Sequence, residues 1–438
     1  MKKLLFTTAA IVSCSIIMFS CSSSEIEGGE YKEIVNMVAE VKPINLTEEQ
    51  RTFRDDNNGF SFKFLKKVNE ADKKGNSFIY SPLGITYVLS MVNDAATGTT
   101  EQEIEQTLGF HEGGIQAVNE YCKNLIDNLP KADTDANLNI ANAIFLNKDY
   151  TLNPQFVQDM DYYYNAKAEA LDFKSSKTLK RINDWCNDKT KGMIPNILEK
   201  LNPDAVTYLL NAIYFKADWT NKFDPKNTKN ETFTTETGTT QIPMMQQDVY
   251  ISYVKNEIYS AVKIPYGNGL WNMTVMLPEG NNTTDDIINH LSAAGFSNDV
   301  ENFCATKGGI FRTYEVDLKM PRYETSSDTD DLEDGLISVL QDMGIHLAFD
   351  SNWAEIPNMA NTNVFISKMR QKAKIEVNEE GTKAAAVTVA EMAVTAVEPG
   401  IEQSKPQKAT FHANRPFVYV IREASSGVIL FVGKFTGR

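Results

Sequence analysis

Histidine and cysteine are scarce in this sequence of 438 residues, with four and five occurrences. The side chains that most often bind zinc or form nucleophile–base pairs are therefore few. His111, His290, His346 and His412 stand far apart, without the spacing of paired metal ligands. No GxSxG, HExxH or phosphate-binding glycine loop occurs either. The sequence therefore predicts no metal site, no cofactor and no catalytic residues of its own.

Basic residues are fewer than acidic ones. The sequence has 43 Lys and Arg and 58 Asp and Glu, which gives a net charge of −15. A nucleic-acid-binding protein would show a basic surface, so we expect no nucleic-acid partner. Glycine and proline number only 24 and 15, too few for a collagen-like or low-complexity chain. The 42% of hydrophobic residues is instead typical of a globular protein.

The N-terminal segment has the pattern of an export signal. Lys2 and Lys3 precede an apolar run over residues 4–19, which is short for a membrane span, and serines follow. Cys21 resembles the lipidated cysteine of a bacterial lipoprotein. We expect residues 1–20 to be a lipoprotein-type signal peptide and residues 21–46 a tether. The protein would then be exported and lipid-anchored at the bacterial cell envelope, in the periplasm or on the surface, with no other membrane contact.

Two alternatives to this anchor stay open. The signal is also compatible with cleavage without lipidation, and Cys14 fits the lipoprotein motif locally, although cleavage there would leave an apolar stub. The remaining cysteines, Cys122, Cys186 and Cys304, are widely spaced and odd in number. We therefore expect buried free thiols and no disulfide framework.

No linker-like break follows Thr47, so we expect residues 47–438 to form one domain, although the length alone allows about three. Thr47 and Gln50 form a capping box for a first helix, and residues 83–108 are typical of a second. Strand-like runs cover residues 137–146, 206–215, 259–265, 272–277, 316–320, 363–368, 374–378, 417–422 and 428–435. The last two flank a turn and predict a hairpin. Helices early and strands late indicate an α+β fold.

Several segments resemble a known family when they are taken together and in chain order. They are residues 76–85 (NSFIYSPLGI), 211–219 (NAIYFKADW), 318–323 (LKMPRY), 375–382 (IEVNEEGT), 413–417 (ANRPF) and 431–434 (FVGK). This succession resembles the serpins, over about residues 50 to 438. The resemblance implies a fold of three β-sheets with eight to nine α-helices and an exposed reactive-centre loop, here about residues 381–410. We also expect a monomer.

The resemblance further implies an inhibitor and not an enzyme. A serpin loop is attacked by a serine protease, and the cleaved loop inserts into the central sheet before the acyl-enzyme is hydrolysed, which traps the protease. The alternative is a non-inhibitory serpin that acts as a binding or chaperone-like surface protein. The hinge of the loop would comprise Glu379, Glu380, Gly381, Thr382, Ala384, Ala385 and Ala386.

The loop sequence itself is suited to insertion. Residues 382–395, read as a strand, would span about 46 Å and present alternate side chains to opposite faces. One face would carry only uncharged residues, whereas Lys383 and Glu391 both fall on the other. No proline occurs between Gly381 and Glu398, so every inserted residue has an N–H to donate.

The family spacing places the scissile bond between Thr395 and Ala396, with Met392 and Val394 as alternative positions for the residue before the cut. No Lys or Arg lies between Lys383 and Lys405, which disfavours a trypsin-like target. Small apolar residues favour an elastase-like serine protease as the partner, with papain-like cysteine proteases as the second candidate.

The resemblance also places the serpin shutter, where the sheet opens, at Ser81, Asn211 and Gln371. Two positions depart from the family pattern: Gly84 stands where Ser is usual, and Gln371 where His is usual. Glutamine donates and accepts hydrogen bonds but does not titrate near neutrality. We expect Gly84 to slacken the start of its helix.

Overall fold

The computed structural model of the protein describes residues 42–111, 113–134, 136–291, 313–381 and 407–438. The expected signal peptide, Cys21, most of the tether and loop residues 382–406 lie outside the described residues. The described part of the chain belongs to one compact unit. Its helices and sheets form the predicted α+β fold.

Eight α-helices lie in the described residues: α1 (Glu48–Ala71), α2 (Pro82–Asn93), α3 (Gly98–Leu108), α4 (Gly114–Asn128), α5 (Pro154–Tyr164), α6 (Ser176–Lys189), α7 (Thr284–Leu291) and α8 (Gly335–Met343). Within these same ranges, no helix has the length and apolar character needed to cross a membrane.

Fourteen β-strands accompany the helices in this part of the chain. They are β1 (Phe78–Tyr80), β2 (Asn137–Asn147), β3 (Lys167–Leu171), β4 (Thr207–Lys216), β5 (Lys229–Thr235), β6 (Gly238–Lys255), β7 (Tyr259–Tyr266), β8 (Trp271–Pro278), β9 (Thr313–Pro321), β10 (Tyr323–Asp328), β11 (Lys368–Val377), β12 (Lys408–His412), β13 (Phe417–Glu423) and β14 (Ile429–Phe435).

The first helix begins where its capping box predicts. The hydroxyl of Thr47 accepts a hydrogen bond from Gln50 N at 3.1 Å, and Gln50 Oε1 accepts one from Thr47 N at 3.3 Å. The prediction of one helix over residues 83–108 is wrong, because α2 and α3 are separate helices. Between them, Thr97 N donates to Glu355 O at 2.9 Å, so the backbone there binds a distant loop instead of continuing the helix.

Hydrogen bonding joins the strands into two sheets. The five-stranded sheet has the order β10-β11-β4-β2-β3. The nine-stranded sheet has the order β1-β14-β13-β8-β7-β6-β9-β12, with β5 attached to β6. β6 is 18 residues long and pairs with β5, β9 and β7 along its length. The resemblance implies three sheets, but the described strands form two. The difference arises because β6 pairs with different strands along its length and so joins two of the expected sheets into one.

Most predicted strands are present, and the C-terminal hairpin is confirmed as the antiparallel pair β13–β14. The strand predicted at residues 363–368 is wrong, since β11 begins only at Lys368. In this segment Asn363 Oδ1 accepts from Ile356 N at 2.8 Å, and Ile366 N donates to Ala348 O at 2.9 Å. These bonds hold Asn363 and Ile366 against loops, and Phe365 and Ser367 bond the side chain of Thr207 in place of a strand backbone.

Two apolar clusters cover the two faces of the five-stranded sheet. The main core lies between the sheets and under α1 and α2. A smaller cluster packs Ile182 and Cys186 of α6 onto β2 and β4, where it includes Ala143 and Leu210. No residue of β11 belongs to this smaller cluster.

The described cysteines are buried, as predicted. Cys122 and Cys186 are free thiols, and burial raises the pKa of each to about 12. Both thiols therefore stay protonated and unreactive at neutral pH.

Ion pairs join β11 to β10 on the face of the five-stranded sheet that α6 partly covers. Arg370 is paired with Asp328, and Lys372 Nζ lies 3.2 Å from the same carboxylate. Lys374 Nζ lies 2.8 Å from Glu324. The residues of β4 directly opposite these cations are uncharged. Among the described residues, ion pairs therefore join β11 to β10 but not to β4.

Acidification tests the contribution of these ion pairs. Burial disfavours the charged form of Asp328, but the hydrogen bond and charge of Arg370 and the charge of Lys372 outweigh it and lower its pKa. A carboxyl with a lowered folded-state pKa stabilises the fold above its unfolded value of about 3.9 and loses this effect as the pH falls through the folded value. We expect Asp328→Asn to lower the urea midpoint at pH 7. Below about pH 4, the stability of the variant should fall less with decreasing pH than the stability of the wild type.

The matched control is Asp172→Asn. Asp172 also has a lowered pKa, caused first by its hydrogen bond with Lys148, but this pair is exposed, so solvent screening makes its contribution smaller. Equal urea midpoints for Asp328→Asn and the wild type at pH 7 would contradict the role given to the β10–β11 ion pairs.

Candidate functional site

Polar side chains meet at the centre of the five-stranded sheet, beside the start of α2. Ser81 caps this helix, because its hydroxyl accepts from Gly84 N at 3.1 Å while donating to Leu430 O at 2.7 Å. Ser81 N donates to Gln371 Oε1 at 2.8 Å, and Gln371 Nε2 donates to Ser81 O at 2.9 Å. The Gln371 amide thus links β11 to the start of α2.

The same glutamine links β11 to β4. Gln371 and Asn211 face each other in the parallel register of these strands, and Gln371 Nε2 donates to Asn211 Oδ1 at 2.8 Å. The structure therefore brings the three predicted shutter residues, Ser81, Asn211 and Gln371, into one fully buried network. The low dielectric of a buried site strengthens such bonds and makes a broken one costly.

Two further members of the network escaped the sequence analysis. Asn211 Nδ2 donates to Asn142 Oδ1 at 2.7 Å, which extends the network to β2. The hydroxyl of Thr329 accepts from Gln371 N at 3.0 Å. Asn142 was detectable as a polar residue within a strand of otherwise mainly apolar character, whereas nothing in the sequence marks Thr329. None of these five residues has a side chain that titrates near neutrality.

Gly84 is tightly packed against Asn211, whereas the expected slackening of the start of its helix stays a prediction. A Cβ atom at this position would lie 2.4 Å from Asn211 Oδ1 and 2.9 Å from both Cγ and Nδ2 of the same side chain. A side chain at position 84 would therefore require the Asn211 amide to move from its present position. The size of the residue at position 84 therefore limits where the Asn211 side chain is able to lie.

The hinge forms a tight turn at the C-terminal ends of β11 and β4. Asn378 N donates to Gly381 O at 3.0 Å, and Gly381 N donates back to Asn378 O at 3.2 Å. Gly381 also bridges Asp218, just beyond β4, in antiparallel fashion. Its φ of +121° and a distance of 2.3 Å from a would-be Cβ to Trp219 N require glycine here. Gly381 thus lies between the segment that follows β11 and the segment that follows β4.

Trp219 closes this end of the sheet. Its indole Nε1 donates to Asn378 O at 2.9 Å, and its ring stacks on Tyr266 with centroids 4.2 Å apart. Trp219 N donates to Glu380 O at 2.8 Å. These contacts hold the turn at Glu379–Gly381 against the end of β4.

Glu379 is almost fully buried beneath this turn, although it is charged. Its Oε1 accepts from the Thr228 hydroxyl at 2.8 Å and lies 3.3 Å from Arg322 Nη1. A buried carboxylate needs such partners. Of the predicted hinge residues, Glu379, Glu380 and Gly381 are described. Thr382, Ala384, Ala385, Ala386 and the candidate bond residues Met392, Val394, Thr395 and Ala396 lie outside the described residues.

The parallel pairing of β11 and β4 ends before the hinge turn. β11 and β4 pair in parallel from Lys368↔Tyr208 to Lys374↔Tyr214 and then separate, and we call these seven pairs the β11–β4 seam. Beyond the seam, Gly381 already lies between the two chain segments. Among the described residues, no group of three or more His, Cys, Asp or Glu side chains is placed to hold a metal ion.

Replacing Gly84 tests the packing at the shutter. We expect Gly84→Ala to displace the Asn211 amide, to weaken its bond to Gln371 and to destabilise the protein by about 1–3 kcal/mol, which is typical of overpacking. The measurement is the urea midpoint, followed by tryptophan fluorescence.

Gly59→Ala is the matched control, because Gly59 lies within α1 and a Cβ there would meet no atom within 4 Å. It should leave stability unchanged or raise it by up to about 1 kcal/mol. The steric account of Gly84 fails if the two variants behave alike.

Comparison with known proteins agrees with this geometry. The family model Serpin (serine protease inhibitor) matches residues 55–437. The chain is 29% identical over 399 residues to Serpin B11 of Homo sapiens, covering 86% of this chain and 96% of that protein. It is 30% identical over 396 residues to the leukocyte elastase inhibitor of Xenopus tropicalis, covering 86% and 97%.

The fold also matches solved structures. The native state of the thermophilic serpin tengpin aligns with a TM-score of 0.74 and 25% identity, over 91% of this chain and 96% of that one. The match of the family model over most of the sequence, together with these relatives, establishes that the chain belongs to the serpin family, whose members are generally protease inhibitors and not enzymes.

Proposed function

We propose that this protein is a suicide-substrate inhibitor of elastase-like serine proteases. The target would cleave the loop between Thr395 and Ala396, or after Met392 or Val394, and form an acyl-enzyme. The cleaved loop would then enter the five-stranded sheet as a new strand between β11 and β4 and carry the protease with it. The bond to the protease is the ester formed by the protease's own serine, so this chain supplies no catalytic group.

The position of Gly381 carries this proposal. Gly381 bridges Asn378 on the β11 side and Asp218 on the β4 side, so it occupies the first position of a strand between them. Gln371 lies seven residues before Asn378, and Asn211 lies seven residues before Asp218. Gln371 and Asn211 are register partners in the β11–β4 seam. The two bridges therefore define one and the same register for an inserted strand, on both of its flanks.

This register makes the loop sequence fit the sheet. Seven residues beyond Gly381 is Thr388, which would lie between Gln371 and Asn211 and offer a hydroxyl to the amides that insertion separates. Thr382 would lie opposite the fully buried Val377. The uncharged face of the loop thus enters the core, and each separated polar group of the shutter meets a new partner.

The register also pairs a charge on the outer face. Glu391 would lie directly opposite Lys368, which is bound to Asp330 at 2.5 Å in the present structure. Lys383 would lie between Glu376 and Lys216. Opposite charges directly across a strand pair stabilise it by roughly 0.2–1 kcal/mol. The ion pair between Glu391 and Lys368 would therefore form only when the loop is inserted, so its effect on stability can be used to detect insertion.

The choice of target rests on the loop sequence, which offers small apolar residues around the proposed bond and no Lys or Arg before Lys405. A trypsin-like pocket would leave its carboxylate unpaired against such residues. Papain-like cysteine proteases are the second candidate. The relative named leukocyte elastase inhibitor supports the first choice. We further propose that Cys21 carries the lipid that anchors the inhibitor at the cell envelope.

Denaturing gels test the inhibitory mechanism. The purified chain is mixed with pancreatic and neutrophil elastase, subtilisin, papain and trypsin. We expect a covalent band at the summed mass with an elastase, and mass spectrometry of the released C-terminal fragment then locates the bond. Clean cleavage with full protease activity would contradict inhibition of these targets. Rapid stoichiometric inhibition of trypsin through Lys405 would contradict the proposed specificity.

The variant Thr382→Arg provides the internal control for this assay. Insertion would force its charge into the core beside Val377, which is strongly unfavourable. We expect the variant to be cleaved at the same bond but to release active protease. Undiminished complex formation by Thr382→Arg would refute the register derived from Gly381.

A charge swap tests the register further. We expect Glu391→Lys to lower the thermal midpoint of the cleaved form and to raise the number of inhibitor molecules consumed per protease. Adding Lys368→Glu should recover about 0.5–1 kcal/mol of this loss through the reversed pair. The matched control is Lys374→Glu, because Lys374 lies on the same face but would oppose Ala385. Rescue by the control, or no rescue by Lys368→Glu, would overturn the register.

A further inference from the structure

A cavity of about 730 Å³ lies on the face of the five-stranded sheet that α6 partly covers. Its floor is formed by β10 and β11, at Ser326, Lys372 and Lys374. Its wall is formed by Leu179 of α6 and by residues 193–199, which follow α6. This volume is typical of a small-molecule site. We call it the α6 cavity.

The wall and the floor of the α6 cavity lie on opposite sides of the β11–β4 seam. Ile194 and Leu198 of the wall belong to the smaller apolar cluster, which packs onto β2 and β4. Asn183 Oδ1 of α6 accepts from Ile197 N and Leu198 N, both at 2.9 Å, so this segment is fixed to α6. The floor belongs to β10 and β11. Opening of the seam would therefore separate the wall from the floor.

Two partly buried ammonium groups lie in the floor. The side chains of Lys372 and Lys374 are 20% and 23% exposed, and they share one face because they are two residues apart on a strand. Lys372 Nζ lies 3.2 Å from Asp328, a carboxylate that Lys372 shares with Arg370, and Lys374 Nζ lies 2.8 Å from Glu324. An ammonium carries three N–H donors, so both lysines are able to bind a further anion.

The wall of the α6 cavity is apolar. Leu179, Met193 and Leu198 line it, and Leu179 and Met193 are only partly buried, so they keep apolar surface that a ligand would cover. Two carboxylates, Glu199 and Asp331, also line the cavity, but both residues are exposed, so water and salt screen their charge. A ligand with an apolar body and one anionic group matches this wall and this floor.

We propose that the α6 cavity binds an amphipathic carboxylate of the fatty-acid class, with its carboxylate at Lys372 and Lys374 and its chain along Leu179 and Leu198. The ligand would contact both sides of the β11–β4 seam. It would therefore bind the closed sheet more tightly than the open one and oppose the opening of the seam. The site itself does not depend on the proposed inhibition, and only its effect on loop insertion rests on that function.

Calorimetry with the uncleaved full chain tests the site, with sodium dodecanoate below its micelle concentration as the probe. We expect one binding site for dodecanoate and no binding of dodecylamine, which carries the opposite charge. Each buried methylene group contributes about fourfold to affinity, so hexanoate should bind at least about a hundredfold more weakly. No binding of dodecanoate, or equal affinity for dodecanoate and dodecylamine, would overturn the site.

Variants locate the binding to the cavity. Lys374→Met removes the charge but keeps the length of the side chain, and it should weaken dodecanoate binding about tenfold. Leu179→Ala should weaken it about fourfold or more through lost apolar contact. The matched control is Lys180→Met, because Lys180 is an exposed neighbour on α6 that is paired with Asp184 at 2.6 Å but does not line the cavity. Equal affinities of Lys374→Met and Lys180→Met would overturn the site.

Hydrogen exchange tests the effect on the seam without any protease. At a free dodecanoate concentration of about ten times its Kd, exchange of the β11 amides that bond to β4 should slow about tenfold, and exchange of β13 should not change. Unchanged exchange of β11 with dodecanoate bound would refute the effect on the seam. Covalent complexes with elastase are measured separately. Their absence would refute the proposed inhibition alone, because neither calorimetry nor hydrogen exchange involves a protease.

Discussion

The β11–β4 seam is the contact on which the rest of this structure depends. Its two strands run parallel, an arrangement that is slightly less stable per residue than antiparallel pairing, and its centre is the amide bond between Gln371 and Asn211. Ion pairs join β11 to β10, while the smaller core under α6 holds β4 to β2. The seam therefore lies between two strand pairs that have these additional contacts, and Gly381 lies beyond its end, bridged to residues on both sides.

A sheet that opens along the β11–β4 seam would explain why the reactive-centre loop is not part of the sheet before cleavage. Each hydrogen bond that an inserted strand forms contributes about 0.5–1.5 kcal/mol net, so a strand of a dozen residues would release considerable free energy. The described state would then be held by a kinetic barrier, and cleavage of the loop would remove it. In this view the buried Gln371 network, the tightly packed Gly84 and the turn closed by Trp219 set the height of that barrier.

The sequence allowed the fold class and the shutter triad to be located, because the family resemblance assigns residues to strands whose order is fixed. It did not reveal Thr329, whose role depends on how one chain segment lies across another. The sequence also did not reveal that the Asn211 amide lies against Gly84, because this contact depends on how α2 packs on β4. The strand expected at residues 363–368 failed because Asn363 and Ile366 bond to neighbouring loops, which a local hydrophobic pattern does not encode.

The distance between Gln371 and Asn211 in the cleaved protein tests the central claim most directly. These residues are now paired in adjacent strands, which places their chains about 4.8 Å apart. A crystal structure of the chain after cleavage in its loop should show them about 9–10 Å apart, twice the strand spacing, with Thr388 between them. A cleaved protein in which Gln371 and Asn211 are still directly paired would contradict the account.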